Sequence, residues 1–193
     1  MALVKTSKIE DVPENALAPI LAAPGAERFV ICRSPEKLKN LLNALQEGHC
    51  THYVSDGDWS MIDLVLELLK KYKHAELWIT TYSLREHSVR QLIAAQERKE
   101  ILSINMLVDH RAKSQTPEVY HLANLNMNRI HLTSIHAKVC VMKCAGGSVT
   151  VVGSANWTNN PRIEAGVVSL DPAVAEFHIS WIQKAMDNAE LFS

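Results

Sequence analysis

Apolar positions along the chain switch between two periods, one near two residues and one near 3.6, and the switches mark out strands and helices. Leu38, Leu41, Leu42 and Leu45 make one helical face, with Ser34 as cap, Pro35 at the first helical position and Gly48 closing the helix. Met61, Ile62, Val65, Leu66, Leu68 and Leu69 trace a second helix that runs into Lys70, Lys71 and Lys73, cations that complement its dipole. Val89, Leu92 and Ile93 point inward from a helix over 88–98, a short helix covers 117–123, and a last one covers 173–188. Between them lie strands over 29–32, 52–55, 76–82, 101–109, 130–142, 148–153 and 165–170, and a polar loop over 109–115. Strands alternating with helices predict an α/β fold, a mixed β-sheet sandwiched between helical layers.

The chain has 193 residues, 47% of them hydrophobic, enough for one domain with a sizeable core. Residues 1–28 are rich in Pro and Ala and lack sustained periodicity. We therefore expect 1–50 to be an extension carrying a helix, without a core of its own, and 51–193 to be the main domain. No apolar run approaches the roughly 20 residues of a membrane span. The apolar stretch 16–26 is broken by Pro19, Pro24 and Gly25 and preceded by acidic residues, unlike a secretory signal. The expected location is the cytoplasm, with no membrane partner. Twenty Lys plus Arg against 21 Asp plus Glu give a formal charge of -1, so a polyanion would be held by a local patch rather than a global field. Cys32, Cys50, Cys140 and Cys144 show no C-x-x-C pair, and His49-Cys50-Thr51-His52 lacks a partner pair at zinc spacing, so no metal site is expected.

The chemistry concentrates late in the chain. His136-Ala137-Lys138 puts an imidazole and an ammonium two residues apart, on one face of a strand, while Val139 and Val141 leave the other face. Gly153-Ser154-Ala155-Asn156-Trp157 ends the next strand, where Val149 and Val151 share one face and Ser154 and Asn156 the other. Glu164 follows a turn-rich loop and opens a further strand. If these strands pair, the polar groups meet at strand ends, where α/β sheets build ligand sites.

Taken in order, these residues resemble the phospholipase D superfamily, whose pattern is H-x-K-x4-D, then G-S-x-N, then a downstream Glu. The similarity runs from about His52 to the C-terminus and implies a phospholipase D-like fold. One position departs: Lys143 stands where the family has Asp. Residues 136 and 138 are even and 143 is odd, so on a regular strand Lys143 faces away from the histidine.

The resemblance implies phosphodiester chemistry by way of two imidazoles, one attacking phosphorus and one protonating the leaving oxygen. This chain carries one H-x-K; His110-Arg111-Ala112-Lys113 has the wrong spacing for a second. We therefore expect a homodimer whose twofold axis brings two copies of His136 together. In that scheme Lys138, Ser154 and Asn156 hold the non-bridging oxygens, and Glu164 accepts a hydrogen bond from the other ring nitrogen of His136. Cationic side chains take the place of metal ions, so no cofactor is implied. The expected activity is that of a nuclease cleaving through a phosphohistidine, on DNA before RNA. The alternatives are a nucleic-acid-binding module weakened in catalysis by Lys143, and a phospholipid phosphodiesterase. Trp157 either packs at the sheet end or offers a stacking face for a base, and Arg111, Lys113, Arg129 and Arg162 lie in or near loops expected to track a phosphate backbone.

Overall fold

The computed structural model describes residues 27–32, 35–55, 57–158 and 162–190. The expected cap at Ser34, and residues 1–26 of the expected extension, lie outside them. In chain order the elements are β1 (Glu27–Cys32), α1 (Pro35–Ala44), β2 (Cys50–Ser55), α2 (Met61–Lys71), β3 (Ala75–Thr81), α3 (Glu86–Glu97), β4 (Ile101–Asp109), α4 (Arg111–Gln115), α5 (Pro117–Asn126), β5 (Arg129–Thr133), β6 (Val139–Cys144), β7 (Gly147–Gly153), β8 (Glu164–Ser169) and α6 (Pro172–Glu190).

The strands form one mixed sheet in the order β1-β2-β8-β7-β6-β3-β4-β5. β1 is parallel to β2, β3 to β4 and β4 to β5, and the other pairings are antiparallel. One edge of the sheet therefore collects the carboxyl ends of β2, β3, β4, β5 and β7 and the amino ends of β6 and β8. Side-chain alternation gives each face its own core. Cys140, Met142, Val149 and Val151 join the large core under α1, α2, α3 and α5. Val139 and Val141 join Trp78, Leu107, Ile182 and Met186 under α6. The fold is thus the expected α/β sandwich of a mixed sheet between helical layers.

α6 lies over β3 and β5–β7; among the described residues no element covers the other half of that face of the sheet, where Phe29, Ile31 and Val54 are about 40% exposed (40%, 38% and 39%). β1 and α1 belong to this sheet and layer: β1 pairs with β2 along its whole length, and α1 packs on both.

Gly166 is fixed by crowding. A Cβ there would lie 2.5 Å from the Tyr53 hydroxyl and 2.7 Å from the Val152 carbonyl, so only glycine lets β8 pass between β2 and β7.

Several boundaries differ from the sequence expectation. α1 ends at Ala44, and Gly48, at φ 71°, turns the chain into β2 instead of capping the helix. α2 begins at a capping box in which Ser60 and Asp63 bond each other's backbone amides, with Asp in the place usually taken by Glu. The loop after β4 contains the helical turn α4. Most consequentially, the single strand expected over 130–142 is two strands. β5 lies at the sheet edge beside β4 and β6 in the middle beside β3, so residues 134–138 must cross over the end of the sheet.

Candidate functional site

That crossing carries His136 and Lys138, which sit just before β6 rather than within it. The segment is held by β3. The Thr80 hydroxyl donates to the Ala137 carbonyl at 3.1 Å and accepts from the Val139 amide at 3.0 Å. β7 adds a bond from the Gly153 amide to the Lys138 carbonyl at 3.1 Å. His136 is exposed and Lys138 is 6% exposed. The Lys138 ammonium lies 3.1 and 3.2 Å from the two ring nitrogens of His136 and donates to the His136 carbonyl at 2.6 Å. An ammonium has only protons to give, so a bond to the ring uses a nitrogen lone pair. Burial pushes the Lys138 ammonium below the usual lysine range, and the Glu164 carboxylate offsets part of that.

Ser154 and Glu164 come from the β7–β8 pair. The Ser154 amide bonds the Ala165 carbonyl at 2.9 Å, the Ala165 amide bonds the Ser154 hydroxyl at 3.1 Å, and that hydroxyl donates to the Glu164 carboxylate. The bond expected between Glu164 and His136 is not among those of the described residues. Glu164 is engaged by Ser154, and its tie to the H-x-K segment is electrostatic, through Lys138. Simple parity would not have joined these groups. Val139 pairs with Val152, so positions 138 and 153 share one face and 154 lies on the other. Past Gly153 and before Val139 the backbone leaves strand geometry, and that departure lets the groups approach.

Asn156 is half-buried, and its side-chain oxygen lies 3.4 Å from the Thr81 hydroxyl. That hydroxyl has one proton and a closer acceptor, the Ser83 carbonyl at 2.9 Å, so Asn156 is held loosely and keeps hydrogen-bonding capacity for a ligand. Of the two roles expected for Trp157, the stacking face is overturned and the packing role holds. At 1% exposed it is a core residue; its amide bonds Thr81 and its carbonyl takes the Arg85 amide at 3.0 Å, so its ring has no face open to a base.

Lys143 sits on β6 with its side chain on the α6 side, paired with Glu176 at 2.7 Å. Glu176 holds the ammonium above the usual lysine range. Its partner across the β3 pairing is Glu76. The residue that replaces the family's Asp therefore lies one strand length from the histidine and on the other face of β6.

The cations divide. Arg111 and Lys113 stand on α4, just past the carboxyl end of β4, and both are exposed, as is Arg162. Arg129 does not join them. It opens β5 opposite Asn105, four residues before the sheet end, and pairs with Asp187 at 3.0 Å. Three groups at the end of β3 carry no signal in the motif: Thr80 and Thr81, which close the strand, and Tyr82, which follows it. The Tyr82 ring meets the His136 ring edge-on at 5.0 Å between centroids. A Thr-Thr pair ending an otherwise apolar strand is the signal that was available.

Asp109, 4% exposed, ends β4 beside them. It accepts from the Arg111 amide at 3.1 Å, the Arg111 Nε at 2.9 Å and the Ile135 amide at 3.2 Å. Burial alone would push its carboxyl up; the Arg111 guanidinium and the two amides outweigh it and hold the group below the usual carboxylate range. Among the described residues no cluster of three or more His, Cys, Asp or Glu is arranged to hold a metal ion, and no helix is long and apolar enough to cross a membrane.

A mixed eight-stranded sheet between helical layers, with these groups gathered at one of its ends, is a phospholipase D-like domain. Residues 65–185 match the family model described as cardiolipin synthase, PLD-like domain, and the chain belongs to that family. At the level of the superfamily, the chemistry of that family is phosphodiester-related. No curated protein matches the chain. Among solved structures it is similar to polyphosphate kinase from Porphyromonas gingivalis, at 18% identity over 63% of this chain and 19% of that one, with a TM-score of 0.42. It is also similar to TrmBL2, an archaeal chromatin protein whose structure shows a novel mode of DNA binding, at 10% identity over 72% of this chain and 52% of that one, with a TM-score of 0.48.

Proposed function

We propose that the protein is a metal-independent phosphodiesterase acting on nucleic acid, with a site completed by a second copy of the chain. The reading rests first on family membership and on the groups at the sheet end: a solvent-exposed imidazole 3.1 Å from a nearly buried ammonium, the Glu164 carboxylate acting on that ammonium, and the Ser154 hydroxyl bonded to Glu164. In the proposed reaction one His136 attacks phosphorus, forming a P–N bond as the P–O bond to the leaving group breaks. His136 of the second copy gives its proton to the departing oxygen, and water then hydrolyses the phosphohistidine. Lys138 and Asn156 hold the non-bridging oxygens, where charge gathers. Ser154 positions Glu164, whose charge favours the protonated form of the buried Lys138 ammonium against the effect of burial.

One observation carries the choice of an active enzyme over a weakened binding module. Lys143, the departure that argued for lost turnover, is exposed, ion-paired to Glu176 and turned away from the imidazole. It removes nothing from the cluster. The test is hydrolysis of a DNA oligonucleotide in excess EDTA, with solution mass measured on the same sample. We expect cleavage, a dimer, and loss of at least about a thousandfold in rate in His136→Asn, the scale of removing a nucleophile. Unchanged cleavage in that variant refutes the assignment. Binding without cleavage favours the module, and hydrolysis of phosphatidyl substrates instead of DNA moves the enzyme to lipids.

A further inference from the structure

Beside the H-x-K segment lies a second cation whose placement is unusually constrained. The Arg111 guanidinium stacks on the Tyr82 ring, 4.3 Å from its centroid, and the same ring is 5.0 Å from the His136 ring and 5.7 Å from the Lys138 ammonium. Asp109 fixes Arg111 from behind, bonding its Nε and its backbone amide, and holds the Ile135 amide of the segment that delivers His136. Arginine, imidazole and ammonium are thus set around one ring and one carboxylate, in a fixed order outward. Lys138 is 6% exposed at the floor, whereas the Arg111 side chain is 58% exposed at the mouth. Only Nε is used by Asp109; among the described residues no partner meets the two terminal nitrogens, which form the end of the fork that pairs bidentately with a phosphate.

We propose that Arg111, held on Tyr82 and by Asp109, is a clamp for a second phosphate, the one next along the chain from the phosphate under attack at His136. The proposal rests on the phosphodiesterase reading and narrows its substrate to polymers in which one phosphodiester follows another. A ligand with a single phosphate fills the floor and leaves the clamp empty. Tyr82 is a positioning residue here: its ring carries the Arg111 guanidinium and meets His136 edge-on, so it sets the guanidinium rather than stacking a base.

The test is binding, so that it stands apart from turnover. Hydrolysis-resistant phosphorothioate thymidine ligands, a dinucleotide with one linkage and a trinucleotide with two, are titrated into the intact protein and followed by NMR. Arg111→Gln should lose about tenfold more affinity for the trinucleotide than for the dinucleotide, the scale of one charge-assisted bidentate pair. Tyr82→Leu should show the same bias and Tyr82→Phe should restore it; if Tyr82→Leu fails to fold, Arg111→Gln carries the test. Equal losses for both ligands, or none, overturn the clamp while leaving hydrolysis and its dependence on His136 intact. A selective loss in a protein that never cleaves DNA leaves the clamp standing and removes the hydrolase. No measurable binding of either ligand overturns the clamp.

Discussion

Asp109→Asn is the most discriminating single change, because one buried carboxylate serves two parts of the site at once. Its Oδ1 takes the Arg111 amide and Nε, and its Oδ2 takes the Ile135 amide at 3.2 Å. Asparagine keeps one oxygen and replaces the other with an NH2 group, which can only face a donor. At least one amide bond to a 4%-exposed group is lost. At about 2 kcal/mol for a bond to a charged acceptor, the expected destabilisation is about 2 kcal/mol. The Arg111 contact adds little, since that side chain is 58% exposed and water screens the pair. For a domain of this size the change lowers Tm by about 4–8 °C. Urea unfolding at pH 7 measures it. The pH dependence has a definite sign. The folded-state carboxyl lies below the usual range, so its contribution is complete above the unfolded value near ~3.9 and is lost as pH falls through the folded value. Wild-type protein should therefore lose this increment in acid, and the variant, having nothing there to protonate, should not. A destabilisation under about 0.5 kcal/mol, within the range of ordinary surface changes, would refute the account. So would an acid limb identical in the two proteins.

Two further predictions concern lysines. Lys143→Asp restores the family's residue but trades an exposed ion pair for a carboxylate beside Glu76 and Glu176; a stability loss of about 1 kcal/mol and no gain in nuclease rate are expected, and a large gain would show that position 143 reaches the site. Lys138→Met should abolish phosphate binding, read by titration, yet leave Tm equal or higher: a lysine whose folded-state value is lowered opposes folding while charged, and the wild type, but not the variant, should gain stability as pH rises toward the free-lysine value of about 10.4. A marked drop in Tm for Lys138→Met would contradict this.

Periodicity located the strands and helices because most are built from apolar faces that belong to a single core. The parity argument for Lys143 worked for the same reason. β6 has paired neighbours on both sides, Val139 and Val141 are committed to the α6 core, and position 143 must follow them. The same reasoning misled once the strand ended. Apolar Ile130, Leu132 and Ile135 run on toward Val139, so nothing in the pattern marks the crossing over 134–138. Trp157 was ambiguous by composition, since an aromatic after a motif serves a core or a ligand equally well. Arg129 was misjudged because its partner, Asp187, lies on α6, far along the chain.

What the sequence hid most completely is the role of the end of β3. Thr80, Thr81 and Tyr82 are consecutive, and each serves a different segment. Thr80 ties residues 137 and 139, Thr81 touches Asn156 and Trp157, and Tyr82 carries Arg111 against His136. Strand alternation turns Thr80 and Thr81 to opposite sides, and Tyr82 follows just past the strand, so a single strand end reaches both motif segments. Thr80 and Thr81 are 0% exposed, which makes this hub part of the core. The reactive groups therefore sit on irregular, partly exposed backbone, yet their positions are set by buried hydroxyls that cannot move without disturbing the sheet. Such a supporting shell gives loop-borne groups the precision that phosphoryl chemistry demands.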